Sequence, residues 1–204
     1  MTIFLLIRHG HNDLLGDSLA GRLPNVHLNE VGRKEAQRLG ELLSKVPIKA
    51  VYASPMERAQ ETAAPIAARQ GLAIKTLPEL IEIDFGDWQG KKFKELKQQA
   101  LWDQIHEQPS AIQFPNGEGF AAARDRVVGG LLKLSGQYDK KDILVCVAHG
   151  DVIRLAVAHF MGLPLDNFHR IHISPASISV LHLNEGQALF GPINFTDRFP
   201  KFSS

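Results

Sequence analysis

The chain has 204 residues, 44% of them hydrophobic and 22% charged, a balance that suits one well-cored soluble globular domain and leaves little room for two. A formal net charge of +1 excludes the large basic excess of a dedicated nucleic-acid or membrane-surface binder, so any anion must be met by a local cluster of cations. A single cysteine, Cys146, excludes an internal disulfide, and neither a signal-peptide pattern nor an apolar run of membrane-spanning length is present, so the expectation is a cytoplasmic protein.

In chain order, "IFLLI" (residues 3–7) is a continuous apolar run, as expected of a strand covered on both faces. A Gly-containing loop leads into "LNEVGRKEAQRLGELLSKV". Here Asn29 is a good N-cap, Glu30 falls in the first turn, and Ala36, Leu39, Leu43 and Val46 recur at helical spacing until Pro47 stops the helix. "KAVYAS" reads as a short strand, and Ser54-Pro55 opens a second helix reaching about Arg69. "LAIKTL" is a third strand. Beyond it "IEIDFGDWQG" is irregular, Lys91 to Glu107 reads as a charged and exposed helix, and "EQPSAIQFPNGEG" is a Pro- and Gly-rich loop. A helix from about Phe120 to Leu134 precedes the buried strand "DILVCVA", in which Cys146 is a small hydrophobe. "HGDVIRLAVAHFMG" turns at once into a helix ending near Gly162. "ISVLHL" and "ALFGPI", on either side of Asn184-Glu185-Gly186, form a terminal hairpin. Strands alternating with helices imply an α/β class, a three-layer α/β/α sandwich around a mostly parallel sheet. The expected organisation is one domain over residues 1–204, with a small cap excursion at about 86–118 and a C-terminal tail from about 193.

Two strands finish alike: "IFLLI" runs into Arg8-His9-Gly10, and "ILVCVA" into His149-Gly150. Ligands of an open parallel sheet sit at the carboxyl ends of its strands, so these histidines are expected to face one site, each followed by a glycine for a tight turn. Helix N-termini just beyond add backbone N–H donors for an anion, Gly150 among them. A third strand end, at Ser54, is followed within one turn of helix by Arg58. Two arginines, two histidines and convergent helix N-termini make a trap of phosphate size, because guanidinium groups grip phosphate oxygens bidentately. The proton donor such a site needs is sought in the loop after the third strand, at Glu82.

The ordered set "LIRHG" (6–10), "HLNEVGRKEA" (27–36), "ASPMERAQETA" (53–63), "LIEIDFGDWQG" (80–90), "FPNGEG" (114–119) and "AHGDVIR" (148–154) resembles the histidine phosphatase superfamily, the branch that also holds cofactor-dependent phosphoglycerate mutases and cobalamin-pathway phosphatases. The resemblance implies that His9 is the nucleophile and becomes phosphohistidine, while Arg8, Arg58 and His149 bind the transferring oxygens. It implies that Glu82 protonates the leaving alcohol and then activates water, which needs a carboxyl pKa raised towards the working pH. Glu79 and Asp84 are close competitors for that role. No metal or other cofactor is implied, since the arginines supply the charge.

Two departures bear on substrate choice. His11 and Asn12 stand where the family usually has Glu or Gln and then Thr or Ser, although the Asn12 amide still donates to a phosphate oxygen. Gly119 follows Glu118 where serine is frequent. Arg22 is either a substrate contact or a surface arginine, Phe85 and Trp88 are packing residues beneath the site, and "KKFKELKQQ" is a solvated helix face or part of a lid. The reading is a metal-independent phosphomonoesterase acting on a small-molecule phosphate ester, with no nucleic-acid or membrane partner and with a homodimer compatible with the chain. A 2,3-bisphosphoglycerate-dependent mutase uses the same residues, but dedicated mutases of the family are usually longer. A non-catalytic phosphate-binding module is the alternative from another class.

Overall fold

The structure, a computed structural model, describes residues 1–196. Among these residues the strands β1 (Thr2–Arg8), β2 (Ile48–Ala53), β3 (Ile74–Thr76), β4 (Ile143–Ala148), β5 (Ile178–Asn184) and β6 (Gln187–Phe190) form one six-stranded sheet in the order β3-β2-β4-β1-β5-β6. The first four are mutually parallel, and β5 and β6 close one edge antiparallel. The hairpin turn is the two residues Glu185 and Gly186, both with positive φ, as tight hairpins require. The second arm is shorter than the sequence suggests, because pairing changes after Phe190 and resumes as a bridge between Ile178 and Phe195. Residues 197–204, most of the expected tail, lie outside the described residues.

The period-two alternation of buried strands builds the layers. Phe4, Leu6, Leu144 and Cys146 enter one core with helices α5 (Phe120–Ser135) and α6 (Gly150–Phe160). Leu5, Ile7, Val51, Val145 and Val147 enter the other, against α1 (Glu30–Leu42) and α2 (Glu57–Gln70). Cys146 is fully buried, and burial pushes its thiol up to about 12. No helix among the described residues is long and apolar enough to cross a membrane.

Asn29 caps α1 as its sequence implies, its Oδ1 accepting from Gly32 N at 3.0 Å. The helix nevertheless ends four residues short of Pro47. Ser44 folds back on Glu41 through both its N–H and its hydroxyl, and the Leu43 carbonyl is taken by the Gln70 amide at 2.8 Å. Instead of one helix over 91–107 there are two short ones, α3 (Phe93–Leu96) and α4 (Leu101–Glu107). The lysines of "KKFKELKQQ" are exposed as expected, but Leu96 is fully buried and joins the α5–α6 core with Trp88 and Ile105. The excursion is therefore anchored by apolar side chains and walls one side of the strand ends.

Register fixes where the chemistry sits. Arg8 pairs with Ala148 across β1 and β4, and Ala53 with Val147 across β2 and β4. The three parallel strands thus end within one residue of one another, and the next residue of each is His9, His149 and Ser54. From the adjacent strands β1 and β4 the chain leaves over opposite faces, to α1 and to α6, which opens a crevice at their carboxyl ends.

Candidate active site

His9 is 4% exposed and tied down on both sides. Its N–H donates to Ala148 O at 2.9 Å, and its Nδ1 lies 2.7 Å from Gly10 O. A carbonyl can only accept, so Nδ1 carries the proton and Nε2 presents a lone pair. Burial first, then the Arg58 and Arg8 charges, hold its pKa well below the ordinary histidine value, so the ring is neutral at neutral pH. Gly10 does not need a left-handed backbone here. A Cβ on it would stand 2.9 Å from Gly32 O, so glycine serves the close approach of this loop to α1. Gly10 N also donates to Thr62 Oγ1 at 3.0 Å, and that hydroxyl donates to Arg58 O at 2.7 Å, joining the loop after β1 to α2.

His149, fully buried, caps α6 and lies with its ring centre 5.3 Å from that of His9. Arg58 Nη2 donates to its Nδ1 at 3.2 Å, which leaves Nε2–H to donate to Ser54 Oγ at 2.8 Å. Burial and Arg58 again keep this imidazole neutral. Arg58 is 1% exposed, and its Nη2 also donates to Gly21 O at 2.8 Å. Arg8 donates from Nη1 to Ile173 O at 2.7 Å. Neither guanidinium makes an ion pair with a carboxylate among the described residues; Arg58 Nε and Nη1 and Arg8 Nε are buried without partners. Burial lowers both arginine pKa values. Such donors are costly to leave unmade and call for an anion. Gly150 contributes space: a Cβ there would come 3.2 Å from Arg8 Nε.

Glu82 is the carboxylate that reaches this group, with Oε2 3.7 Å from His149 Nδ1 and a side chain 12% exposed. Its competitor Asp84 turns to Arg22 and to Gly86 N, while Glu79 lies against α5 at Gly130. Burial first and the Asp151 charge second push Glu82 up to about 7, against the opposing pull of Arg58, Ile83 N–H and Arg8. Desolvation outweighs the two arginines.

The loop carrying Glu82 is held through its backbone. Arg22 Nε donates to Glu82 O at 2.8 Å and its Nη2 to Glu118 Oε1 at 2.7 Å. Arg126 Nη1 donates to both Glu79 O and Ile81 O at 2.8 Å, and its Nη2 to the same Glu118 oxygen at 2.6 Å. Arg22 is thus not a free surface arginine: a carboxylate and a carbonyl engage its donors, and it is not among the residues lining the cavity. Asn12 does line the cavity, 4% exposed, with Oδ1 accepting from Leu14 N at 3.0 Å so that the amide nitrogen is the end left for a ligand. His11 turns away instead. Its ring and its N–H both engage Glu35 on α1, at 2.8 and 3.0 Å.

Arg8, His9, Asn12, Arg58, Glu82 and Gly150 line one cavity of about 280 Å³, which also reaches Asp151 and Arg154. Phe85 and Trp88 are buried at its base, as packing residues should be. Ser54, Thr62, Glu118, Arg126 and Asp151 are the positions whose roles the sequence did not disclose. All but Arg126 lie inside or beside the quoted motifs, but their partners are carbonyls, hydroxyls and charges that only folding assembles.

A family model described as histidine phosphatase superfamily (branch 1) matches residues 4–196. Adenosylcobalamin/alpha-ribazole phosphatase of Escherichia coli (strain K12) is 32% identical over 196 residues, 93% of this chain and 94% of that protein. A 2,3-bisphosphoglycerate-dependent phosphoglycerate mutase of Thermoplasma acidophilum is 30% identical over 204 residues, 99% of this chain and 98% of that one. Among solved structures, Bacillus stearothermophilus YhfR superposes with a TM-score of 0.90 at 26% identity, covering 97% of this chain and 98% of that one.

Proposed function

The chain belongs to branch 1 of the histidine phosphatase superfamily, and from that premise we propose how its residues divide the hydrolysis of a small phosphorylated metabolite. The enzyme is a phosphoric monoester hydrolase, like the relatives named as phosphatases. His9 Nε2 attacks phosphorus in line. As the N–P bond forms and the P–O bond to the alcohol breaks, the Glu82 carboxyl gives its proton to the leaving oxygen. Arg8 and Arg58 face the oxygens of the transferring phosphoryl group and stabilise its charge, with the Asn12 amide and Gly150 N–H as further donors, while His149, its ring nitrogens engaged by Arg58 and Ser54, holds Arg58 in place beside them. In the second half Glu82, now a carboxylate, takes a proton from water, which attacks phosphorus and releases His9 and inorganic phosphate. Glu82 ends protonated, ready for the next cycle.

One observation carries this reading: two buried guanidinium groups, with donors unpartnered and no carboxylate in ion-pair contact among the described residues, converge with a neutral histidine lone pair and a carboxyl near pKa 7. A non-catalytic phosphate-binding module would need the arginines but neither the oriented His9 nor the raised Glu82.

The mutase reading is favoured by the Thermoplasma relative, and since that protein matches this chain end to end, length does not separate the two. The cations do. A mutase must hold a bisphosphorylated intermediate, with a second cationic seat in a site closed to water. Beyond Arg8 and Arg58 the cavity wall has one further arginine or lysine, Arg154, and it pairs with Asp151 at 2.8 Å. The deciding experiment measures inorganic phosphate release from a panel of monoesters, with and without 2,3-bisphosphoglycerate. Hydrolysis without the bisphosphate is expected. Isomerisation of 3-phosphoglycerate that appears only with the bisphosphate, and no hydrolysis without it, would replace the phosphatase by the mutase.

A further inference from the structure

Resting on the phosphatase reading, we propose that the leaving alcohol is uncharged and carries a ring, seated between the loop after β1 and the α3–α4 excursion. Past the phosphoryl trap the cavity wall turns apolar. Leu14, Leu15 and Leu19 of the loop after β1 line it together with Phe93, Trp102 and Ile105 of the excursion. Except for Ile105 these side chains are only part-buried, so they present apolar surface to the cavity. The Trp102 ring is set by near-parallel stacking on buried Trp88, at 6.3 Å and 18°, with the Phe93 ring 6.4 Å away on edge. This is a preformed slot for a flat apolar group, which prefers offset-stacked or edge contacts with such rings.

Charge points the same way. Arg8, Arg58 and Glu82 belong to the trap, and the two remaining Asp, Glu, Lys or Arg residues of the wall are Asp151 and Arg154, which neutralise each other. His169 is held below the ordinary histidine value by burial, with its Nε2 3.0 Å from Ile105 O. Apart from His106, an exposed ring lying edge-on to Trp102, the outer cavity therefore offers no uncompensated charge for a carboxylate, an ammonium or a second phosphate. Arg154 Nε, buried and unpartnered, supplies one donor, suited to a hydroxyl or ring nitrogen of the alcohol. A carboxylate placed there would also face Asp151 and lose the advantage. At about 280 Å³ for the whole cavity, one ring system fits beside the phosphoryl group and a bulky macrocycle does not.

The test compares alkyl esters, so that leaving-group acidity does not supply the difference: 2-phenylethyl phosphate, ethyl phosphate, glycerol 3-phosphate and 3-phosphoglycerate. Burying a phenyl ring predicts a kcat/KM for the phenylethyl ester about 10- to 100-fold above that for ethyl phosphate, with 3-phosphoglycerate at or below ethyl phosphate. Trp102→Ala and Leu15→Ser, on separate segments of the wall, should each pull the phenylethyl-to-ethyl ratio towards unity, while Trp102→Phe retains most of it. Circular dichroism checks that each variant folds, and Leu15→Ser, on a loop, covers the case in which removing Trp102 unsettles the excursion. Equal or faster turnover of 3-phosphoglycerate, or a ratio unchanged in both variants, overturns the ring specificity and leaves the phosphatase standing. No hydrolysis of any ester overturns both.

Discussion

The two halves of the active site are built in different ways. The phosphoryl trap hangs from three parallel strands that end within one residue of one another, so His9, His149 and the start of α2 are placed by sheet register and by bonds at the strand ends themselves. The acid lies on a loop without regular ladders, and its position comes from arginines on distant segments that grip carbonyls of residues 79–82 through a shared carboxylate. Rigidity in the first half is a property of the fold, and in the second of a side-chain network. Damage to each half should therefore show a different signature.

The largest effect is expected in the trap. His9→Ala removes the only lone pair aimed at phosphorus, and turnover should drop by about 10⁴-fold or more, a size typical of losing a covalent nucleophile. Acid-labile labelling of the protein by a ³²P-labelled ester should vanish with it. Label that persists in the variant would put the nucleophile elsewhere and dissolve the contrast between the two halves.

Glu82→Gln comes next, with kcat lower by about 10²- to 10⁴-fold and inhibition by inorganic phosphate nearly unchanged. The wild-type kcat/KM should fall above pH 7, where Glu82, held at about 7, loses the proton that it must donate. His9, depressed by burial and two arginines, adds no limb near neutrality. Stability falls with the same proton. The folded pKa of Glu82 lies above the unfolded value, so between about pH 4.3 and 7 the unfolded chain holds fewer protons and stability falls as pH rises, by on the order of 3 kcal/mol once Glu82 is ionised. Glu82→Gln should thus be more stable than wild type to urea at pH 8, with the gain gone near pH 4. A variant less stable at both pH values would mean that the carboxyl is not buried at a cost.

What the sequence discloses follows the same division. The trap is legible because its residues sit in short contiguous strings at strand ends, where hydrophobic runs reveal the strand and the next letters give the chemistry. Arg8, His9, His149 and Arg58 stand at the strand ends and helix start where those letters put them. The support of the acid is not legible, because Arg22 and the Glu118 carboxylate that holds it are 96 positions apart and Arg22 acts on a backbone carbonyl, which no residue pattern marks. Glycine roles are misread for a related reason. Gly10 and Gly150 suggest turns, but what demands them is the nearness of Gly32 and Arg8, a tertiary fact. The excursion is half legible: its lysines predict a solvated face, and only packing shows that Phe93 and Leu96 point the other way.

Glu118→Gln probes the network without touching phosphate or His9. One oxygen remains for Asp84 N, but the charge between Arg22 and Arg126 is lost and two guanidinium groups that share one acceptor now repel. Loosening the Glu82 loop should cost about tenfold in kcat, with KM little changed and the basic limb of the pH profile displaced. Glu118→Asp, which keeps the charge but shortens the reach, should recover part of the loss. An unaltered pH profile would show that the network supports the fold and not the acid.

Gly150→Ala makes the smallest and most discriminating test of the trap. The added methyl would stand 3.2 Å from Arg8 Nε, a contact that a few tenths of an ångström of guanidinium movement relieves. A helical Ala in place of Gly is favourable by roughly 0.5–1 kcal/mol, so the variant should unfold no more easily than wild type. Arg8 is also anchored to Ile173 O, so its displacement is small but directed away from its resting place beside the phosphoryl site. Since a misplacement of about 1 Å can cost 10²-fold, a shift of tenths should lower kcat by a few fold. Stability held while turnover drops would show that this glycine serves the position of a charge, and turnover held would show that Arg8 tolerates motion that Glu82 does not.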